Sequence, residues 1–408
     1  MRLLCLSNGH GEDTIAVRVL HALQQEGFSQ IEALPIVGEG HAYTKLNIPV
    51  IGAVKAMPSG GFIYMDSRQL ARDIQGGLVQ LTWAQIKAVQ AWARDGDGFI
   101  LAVGDIVPLL FAWLSGAPFA FVATAKSEYY LCDETGWLPR KSWWDDRLER
   151  STNCIFQPWE RWLMRRPQCK AVFPRDRITA DILKRFDVPA FDLGNPMMDG
   201  LEWNPEGEIN QSALTIALIP GSRPPEAYHN WEIMLQSLDR LREQLEKPLQ
   251  FLASIAAGLD SERLHQLLVS YRWQKSGENT YTIGFSEKQV TLELSPRFAE
   301  CLHRSQVAIA MAGTATEQFI GLGKPAIIIP GNGPQFTPAF AEAQTRLLGA
   351  SVTLVEQPTQ VAKAMQSLLN DPDRLQTIAE NGHRRMGDPG AAHRIATCLL
   401  KEMNLSRS

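Results

Sequence analysis

Two strand-to-helix junctions in the second half of the chain carry residues suited to an anion. Thr215 to Ile219 is a β-branched and aliphatic run that reads as a parallel strand covered on both faces, and it ends in Pro220-Gly221-Ser222-Arg223. Gly221 permits a sharp turn with its N–H groups turned outward, and the Arg223 guanidinium is a planar cation able to fork onto a phosphate. Farther on, Val307 to Met311 runs into Ala312-Gly313-Thr314-Ala315-Thr316-Glu317-Gln318. There small residues open a helix whose N-terminus offers unpaired N–H groups and positive dipole. Either junction alone serves equally well as a structural turn. Together, and with Arg223, they suggest a nucleotide diphosphate held between Gly221, Ser222 and Arg223 on one side and Gly313, Thr314, Ala315 and Thr316 on the other.

The first half offers proton-transfer groups. Ser7-Asn8-Gly9-His10-Gly11-Glu12-Asp13 follows the first predicted strand, and Gly104-Asp105 follows another. Gly9 and Gly11 allow close backbone approach, while His10, Glu12 and Asp13 accept protons or bind hydroxyls. The loop is not a G-x-G-x-x-G fingerprint, because position 14 is threonine, and this weakens a dehydrogenase reading. The structural alternatives are that Asp13 or Asn8 caps a helix and that Asp105 caps one beginning near Pro108.

Ile216 to Arg223 (IALIPGSR), Gly194 to Asp199 (GNPMMD) and Gly313 to Thr316 (GTAT), followed by Gly323-Lys324-Pro325, resemble in order and spacing the motifs of lipid-A-disaccharide synthases. The chain is more loosely similar to other sugar-nucleotide transferases of the two-Rossmann-domain (GT-B) type. It looks most like the lipid-A-disaccharide-synthase-related group of photosynthetic bacteria. The resemblance spans most of the chain and is specific between about residues 190 and 330. It implies two Rossmann-like doubly wound domains facing across a cleft, and inverting transfer of a sugar from a UDP-sugar to a lipid or other apolar acceptor. The donor would be UDP-N-acetylglucosamine or a lipid-modified relative.

In such a reaction a carboxylate or imidazole takes the acceptor's proton, and glycine-loop N–H groups, a helix N-terminus and Arg223 stabilise the departing diphosphate. The resemblance implies that no metal or cofactor takes part. Asp105 matches an aspartate in the synthases' Gly-Ile-Asp segment and is the favoured base. His10 competes, because histidine occupies a comparable loop in related cell-wall transferases. Where the synthases read Gly-Glu-Ala-Ser-Gly-Asp, only Asp13 keeps its type, so Asn8, Gly9, Gly11 and Asp13 form an expected acceptor-side loop. Counting back from Gly323-Lys324-Pro325, the family's ribose-binding glutamate falls at Gln318. Glu317 lies one position, about 100°, around the helix. Gly331 to Thr337 is expected to border the donor sugar. A UDP-sugar epimerase or hydrolase of the same fold, and a non-catalytic sugar-nucleotide-binding protein, are the competing readings.

These residues need a frame of alternating strands and helices, and the chain supplies one. Strands are predicted at Arg2 to Leu6, Ile31 to Pro35, Phe99 to Val103 and Phe119 to Ala123, with weaker ones at Cys154 to Phe156 and Ala171 to Pro174. In the second half they fall at Leu214 to Ile219, Leu249 to Ser254, Tyr281 to Gly284, Val307 to Met311, Ala326 to Pro330 and Val352 to Val355. Helices are predicted at Asp13 to Glu26, Ser67 to Arg94, Trp231 to Leu245, Ser261 to Tyr271, Thr316 to Leu322, Pro338 to Leu348 and Pro358 to Asn370. Pro196, Gly200, Pro205 and Gly207 mark a linker within Asn195 to Gln211. The expected domains are an amino-terminal acceptor domain (1–200), a carboxyl-terminal donor domain (206–385) and a last helix (386–408) crossing back to the first.

Bulk properties set the remaining expectations. A length of 408 residues suits two domains, and 45% hydrophobic with 21% charged residues is ordinary for a globular protein. The net charge of -4 argues against general nucleic-acid binding. Six cysteines without a C-x-x-C pair indicate neither a zinc site nor a disulfide framework. The short apolar start does not read as a signal peptide, no stretch is long enough to span a bilayer, and a cytoplasmic location is expected. Trp137 to Phe186 mixes Trp143, Trp144, Trp159 and Trp162 with twelve Lys or Arg against six Asp or Glu. Trp and Arg together suit peripheral contact with the inner face of a membrane. Met57 to Tyr64 is an apolar loop on the acceptor side. The resembling synthases can pair through their carboxyl-terminal domains, so an oligomer is a further expectation.

Overall fold

The apolar runs fold into parallel sheets. The computed structural model describes residues 1–55, 77–139, 152–204, 213–284, 289–333 and 335–406, and of His10 only the backbone. The chain divides into two compact units, Met1–Asp199 with Asp388–Ser408, and Gly200–Gly387.

In the first unit the order is β1 (Arg2–Ser7), α1 (His10–Gln25), β2 (Ile31–Pro35), α2 (Leu78–Arg94), β3 (Gly98–Gly104), α3 (Ile106–Ser115), β4 (Phe119–Ala123), α4 (Pro158–Met164), β5 (Cys169–Pro174) and α5 (Arg177–Lys184). The sheet runs β2-β1-β3-β4-β5 and every pair is parallel. Strand residues alternate between two cores. Leu4, Leu6, Ile100 and Ala102 meet α2 to α5 through Val89, Leu109, Phe111, Leu163 and Leu183. Leu3, Cys5, Phe99 and Leu101 meet Ile15, Val19 and Leu23 of α1. The second core also contains Ile395, Leu399 and Met403 from Ala391–Leu405, the last helix of the chain.

Asp199 fixes that helix. Its carboxylate accepts from the N–H groups of Gly390 (2.5 Å), Ala391 (3.2 Å) and Ala392 (2.6 Å), a charged cap on a positive helix end. Asn195 accepts from the Met197 N–H (3.0 Å), and Gly194 sits at φ +86, where its missing Cβ leaves room for the Arg394 guanidinium. The Gly194 to Asp199 motif is therefore a structural clasp.

The second unit contains β6 (Leu214–Ile219), α6 (Glu226–Gln244), β7 (Leu249–Ser254), α7 (Ser261–Ser270), β8 (Thr280–Ile283), β9 (Val290–Ser295), α8 (Phe298–Arg304), β10 (Val307–Ala310), α9 (Thr314–Gly321), β11 (Ala326–Ile328), α10 (Pro338–Leu348), β12 (Val352–Leu354), α11 (Val361–Leu369) and α12 (Pro372–Met386). Labelling the last helix of the chain (Ala391–Leu405) α13 completes the numbering. The sheet order is Gln274–Lys275, then β8-β9-β7-β6-β10-β11-β12. Its parallel part, β9-β7-β6-β10-β11-β12, is the 3-2-1-4-5-6 order of a doubly wound sheet.

Several expectations differ from what forms. Cys154 to Phe156 makes bends, not a strand, because the Ile155 N–H is taken by the buried Glu128 carboxylate (2.9 Å) and not by a sheet neighbour. α1 begins at His10, so the loop after β1 is only Asn8-Gly9. Of the helix expected from Ser67, the described part is Leu78–Arg94, and residues 67–76 lie outside the described residues. Met57 to Tyr64, Trp143, Trp144, Pro334 and the linker positions Pro205 and Gly207 lie outside them too.

Candidate functional site

In the first unit the strand order reverses between β1 and β3, which run outward from the sheet's middle to β2 and to β4. Helices leave on opposite faces at such a switch point, so the carboxyl ends of the two strands stay open. Asn8 follows β1 and Asp105 follows β3, and the two are joined: Asn8 Nδ2 donates to Asp105 Oδ2 at 3.0 Å. The other carboxylate oxygen accepts from the Val107 N–H at 2.9 Å, so Asp105 is the N-cap of α3. Burial pushes its carboxyl above the ordinary range, opposed by the bonds from Val107 and Asn8; nearby Glu160 raises it further and Lys126 lowers it. A raised pKa makes the ionised carboxylate a stronger proton acceptor than an ordinary one.

Two buried acceptor atoms beside it, Asn8 Oδ1 and Thr124 Oγ1, have no hydrogen-bond partner among the described residues. Thr124 follows β4, and its N–H bonds the Gly104 carbonyl (3.2 Å). Gly104 itself, at φ +133, has Glu12 Cγ 3.2 Å and Asn8 Cβ 3.5 Å from the position of a Cβ. Lys126, also after β4, donates to Glu160 Oε2 (2.5 Å), and Glu160 is almost wholly buried. Lys126 and Glu160 were not anticipated, since a lone lysine after a strand carries no signal until α4 is folded beside it.

The remaining first-unit candidates lie at the start of α1. Asp13 is buried on α1, where its Oδ1 accepts from Ser7 Oγ (2.5 Å), and Ser7 Oγ in turn accepts from Tyr43 OH (2.5 Å). These bonds, with that from the Asp13 N–H to the Gly9 carbonyl (2.8 Å), tie the first turn of α1 to the end of β1. Gly9 takes φ 136 as the N-cap of α1, a backbone that favours glycine, and Gly11 lies exposed in the first turn. His10 opens that helix.

In the second unit the switch point lies between β6 and β10, and the two predicted anion turns stand on it side by side. The Met311 N–H bonds the Ile219 carbonyl (2.9 Å), extending the ladder to the turns themselves. Asn230 of α6 ties them together, its Nδ2 donating to Pro220 O (2.9 Å) and Met311 O (3.2 Å). Gly221 takes φ +96, and a Cβ there would sit 3.6 Å from the Met311 carbonyl. Ser222 and Thr314 are exposed, Arg223, Gly313 and Ala315 are half-buried, and α9 begins at Thr314 with its first N–H groups at this edge.

Thr316, Glu317 and Gln318 are instead buried. Thr316 Oγ1 donates back to the Ala312 carbonyl (2.5 Å), so its hydroxyl shapes the turn. The Gly323-Lys324-Pro325 lysine is structural as well. Its Nζ donates to the carbonyls of Leu302 (2.8 Å), His303 (2.7 Å) and Ser305 (2.7 Å) at the end of α8, and burial lowers its pKa to about 8. Beside β11, Glu226 accepts from the N–H groups of Gln335 and Phe336. Asn230 and Glu226 were missed because the predicted helix began only at Trp231, whereas α6 starts at Glu226 and its first turns carry both side chains.

Among the described residues no group of three His, Cys, Asp or Glu is placed to hold a metal ion. The two D-x-D spacings, Asp95 to Asp97 and Asp371 to Asp373, lie away from these turns. Asp97 precedes β3, where its carbonyl accepts the Arg2 N–H, and Asp371 caps α12. No described helix is long and apolar enough to cross a membrane. Trp159 and Trp162 of α4 and Trp83 of α2 are exposed. The Arg166 guanidinium lies 3.6 Å from the Trp162 ring centroid.

No family model matches the chain. Over 240 residues it is 24% identical to lipid-A-disaccharide synthase of Syntrophus aciditrophicus (strain SB), a match covering 51% of this chain and 56% of that protein. The chain thus spans little more than half the length of this curated relative. Among solved structures, the co-structure of S. aureus MnaA with UDP superposes over 99% of this chain and 98% of that one, with a TM-score of 0.59 and 13% identity. MurG of Acinetobacter baumannii covers 98% and 99%, with a TM-score of 0.55 and 16% identity. UDP-GlcNAc 2-epimerase of Neisseria meningitidis bound to UDP-GlcNAc covers 98% and 100%, with a TM-score of 0.55 and 15% identity. The fold is therefore α/β of the GT-B type, built from two Rossmann-like units.

Proposed function

We propose that the chain is an inverting, metal-independent glycosyltransferase that moves a sugar from a UDP-sugar to a hydroxyl of a lipid or other apolar acceptor, in the manner of lipid-A-disaccharide synthase. The observation that carries this reading is the pairing of the turns at Gly221 and Gly313 across the β6–β10 switch point, with Arg223 beside them. Such a place suits a diphosphate because backbone N–H groups and a helix N-terminus meet there, and Arg223, two residues after Gly221, could add a guanidinium. The partial match to lipid-A-disaccharide synthase favours transfer over other UDP-sugar chemistry.

On this reading Asp105 accepts the proton of the acceptor hydroxyl as its oxygen attacks the anomeric carbon. The bond from that carbon to the diphosphate breaks, and UDP leaves with the electron pair, its charge balanced by the turn N–H groups and Arg223. The exposed Trp159 and Trp162, with Arg165 and Arg166 on the same helix end, support peripheral contact with an anionic lipid surface.

The test is a panel of nucleotide sugars screened for thermal stabilisation, followed by product analysis with the best binder and short-chain lipid acceptors. A new glycoside and UDP are expected. A different free sugar would assign epimerisation, hydrolysed sugar with UDP would assign a hydrolase, and binding without turnover would assign a non-catalytic binder. Absence of co-sedimentation with anionic liposomes at low salt would remove the membrane contact.

A further inference from the structure

The first turn of α6 places Glu226 and Asn230 one turn apart on one helix face. Asn230 holds the turns after β6 and β10. Glu226 reaches a third, the one after β11. Its Oε1 accepts from the Phe336 N–H at 2.7 Å, and both oxygens lie 3.1 Å from the Gln335 nitrogen. Glu226 is only 5% exposed, so these bonds form away from water, where an unpaired polar group would be costly.

Two glycines make room for this arrangement. A Cβ on Gly333 would fall 2.4 Å from the Glu226 carboxyl carbon, and one on Gly331 would fall 2.9 Å from Asn230 Oδ1. Neither glycine has a positive φ, so what each provides is close approach and not an unusual backbone. Asn332 and Gln335 on the same turn are exposed, and their carboxamides offer the paired donors and acceptors that sugar hydroxyls require. Glu226 thus links a polar, outward-facing turn to the start of α6, three residues after Arg223.

We infer that Glu226 is a positioning residue that holds Gln335 and Phe336 against the anion turns and thereby shapes the subsite for the donor's sugar. This rests on the reading of the second unit as the UDP-sugar site. The phosphate-facing turns are tied by Asn230 and not by Glu226, so loss of Glu226 acts on the sugar and spares the nucleotide.

The experiment measures, by calorimetry on the full chain, the affinity of wild type, Glu226→Ala and Glu226→Gln for UDP and for the UDP-sugar of the panel that wild type binds most tightly. Amide hydrogen exchange at Gln335 and Phe336 is followed in parallel. Glu226→Ala is expected to weaken UDP-sugar binding about tenfold while UDP affinity stays within about twofold, as loss of a preorganised subsite demands. Protection of the two amides falls with it. Glu226→Gln keeps one acceptor oxygen and restores part of both. Equal losses for UDP and UDP-sugar, or unchanged binding with unchanged protection, would overturn the inference, as would a wild type that binds every UDP-sugar no tighter than UDP. A wild type that binds no UDP at all instead overturns the proposed function.

Discussion

At the scale of single residues, Asp105 has two jobs that are compatible. Its Oδ1 caps α3 while Oδ2 meets Asn8, and burial lifts its pKa. A carboxyl whose folded pKa exceeds its unfolded one binds more protons when folded. Its stabilising contribution is full below the ordinary carboxylate range and is lost as pH rises through the raised value. Asp105→Asn removes that titration. The Asn8 amide can rotate to present Oδ1, which has no hydrogen-bond partner among the described residues, to the new side-chain N–H2. The variant should therefore match wild type in melting temperature at acid pH and equal or exceed it at neutral pH, with transfer reduced about 10²- to 10⁴-fold. A melting temperature that drops at neutral pH, or undiminished turnover, would remove Asp105 as the base. Wild-type transfer should rise with pH through a value above the ordinary carboxylate range. Arg223→Ala should weaken UDP binding by about 1.5 to 3 kcal/mol, the worth of a charged hydrogen bond, and a calorimetric titration indistinguishable from wild type would place Arg223 outside the site.

At the scale of elements, what was legible in the sequence is what burial alone decides. Leu214–Ile219 and Val307–Ala310 are apolar on both faces because helices cover both sides, so their strands and turns could be read directly. β9 (VTLELS) alternates, since it borders an antiparallel edge, and was passed over. α12 was missed because its sequence is polar and carries Gly382 in mid-helix. Packing overrides propensity there. A Cβ on Gly382 would lie 2.1 Å from the Ile320 carbonyl of α9, so this glycine lets α12 press against the helix whose N-terminus borders the anion turns. Gly382→Ala should destabilise the protein by about 1 to 3 kcal/mol or more through overpacking, read as a lower urea midpoint at unchanged slope. A variant as stable as wild type would show that the two helices part without loss. The roles of Glu226, Asn230, Lys126 and Glu160 could not be read at this scale, because each depends on a contact whose partner is distant in sequence.

At the scale of the whole molecule, both units are doubly wound sheets with polar groups gathered where the strand order reverses, yet the groups differ in kind. The first gathers a carboxyl, a carboxamide and an ion pair, whereas the second gathers two glycine turns and a helix N-terminus. On the proposed function, proton transfer belongs to the former set and anion binding to the latter, so a nucleotide should stabilise one unit selectively. UDP at about one hundred times its dissociation constant adds about 2.7 kcal/mol to whatever unfolding releases it. Amide exchange should then slow at Gly221 to Asn230 and Met311 to Phe319, while α1 and α13, packed together in the first unit, keep their rates. The contrast is informative because α13 comes last in the chain, directly after the second unit, and joins the first through the Asp199 cap. Protection that appeared around Asn8 and Asp105 and left the Gly221 and Gly313 turns unchanged would move the nucleotide to the other unit. The division of labour between the two sheets would then be reversed.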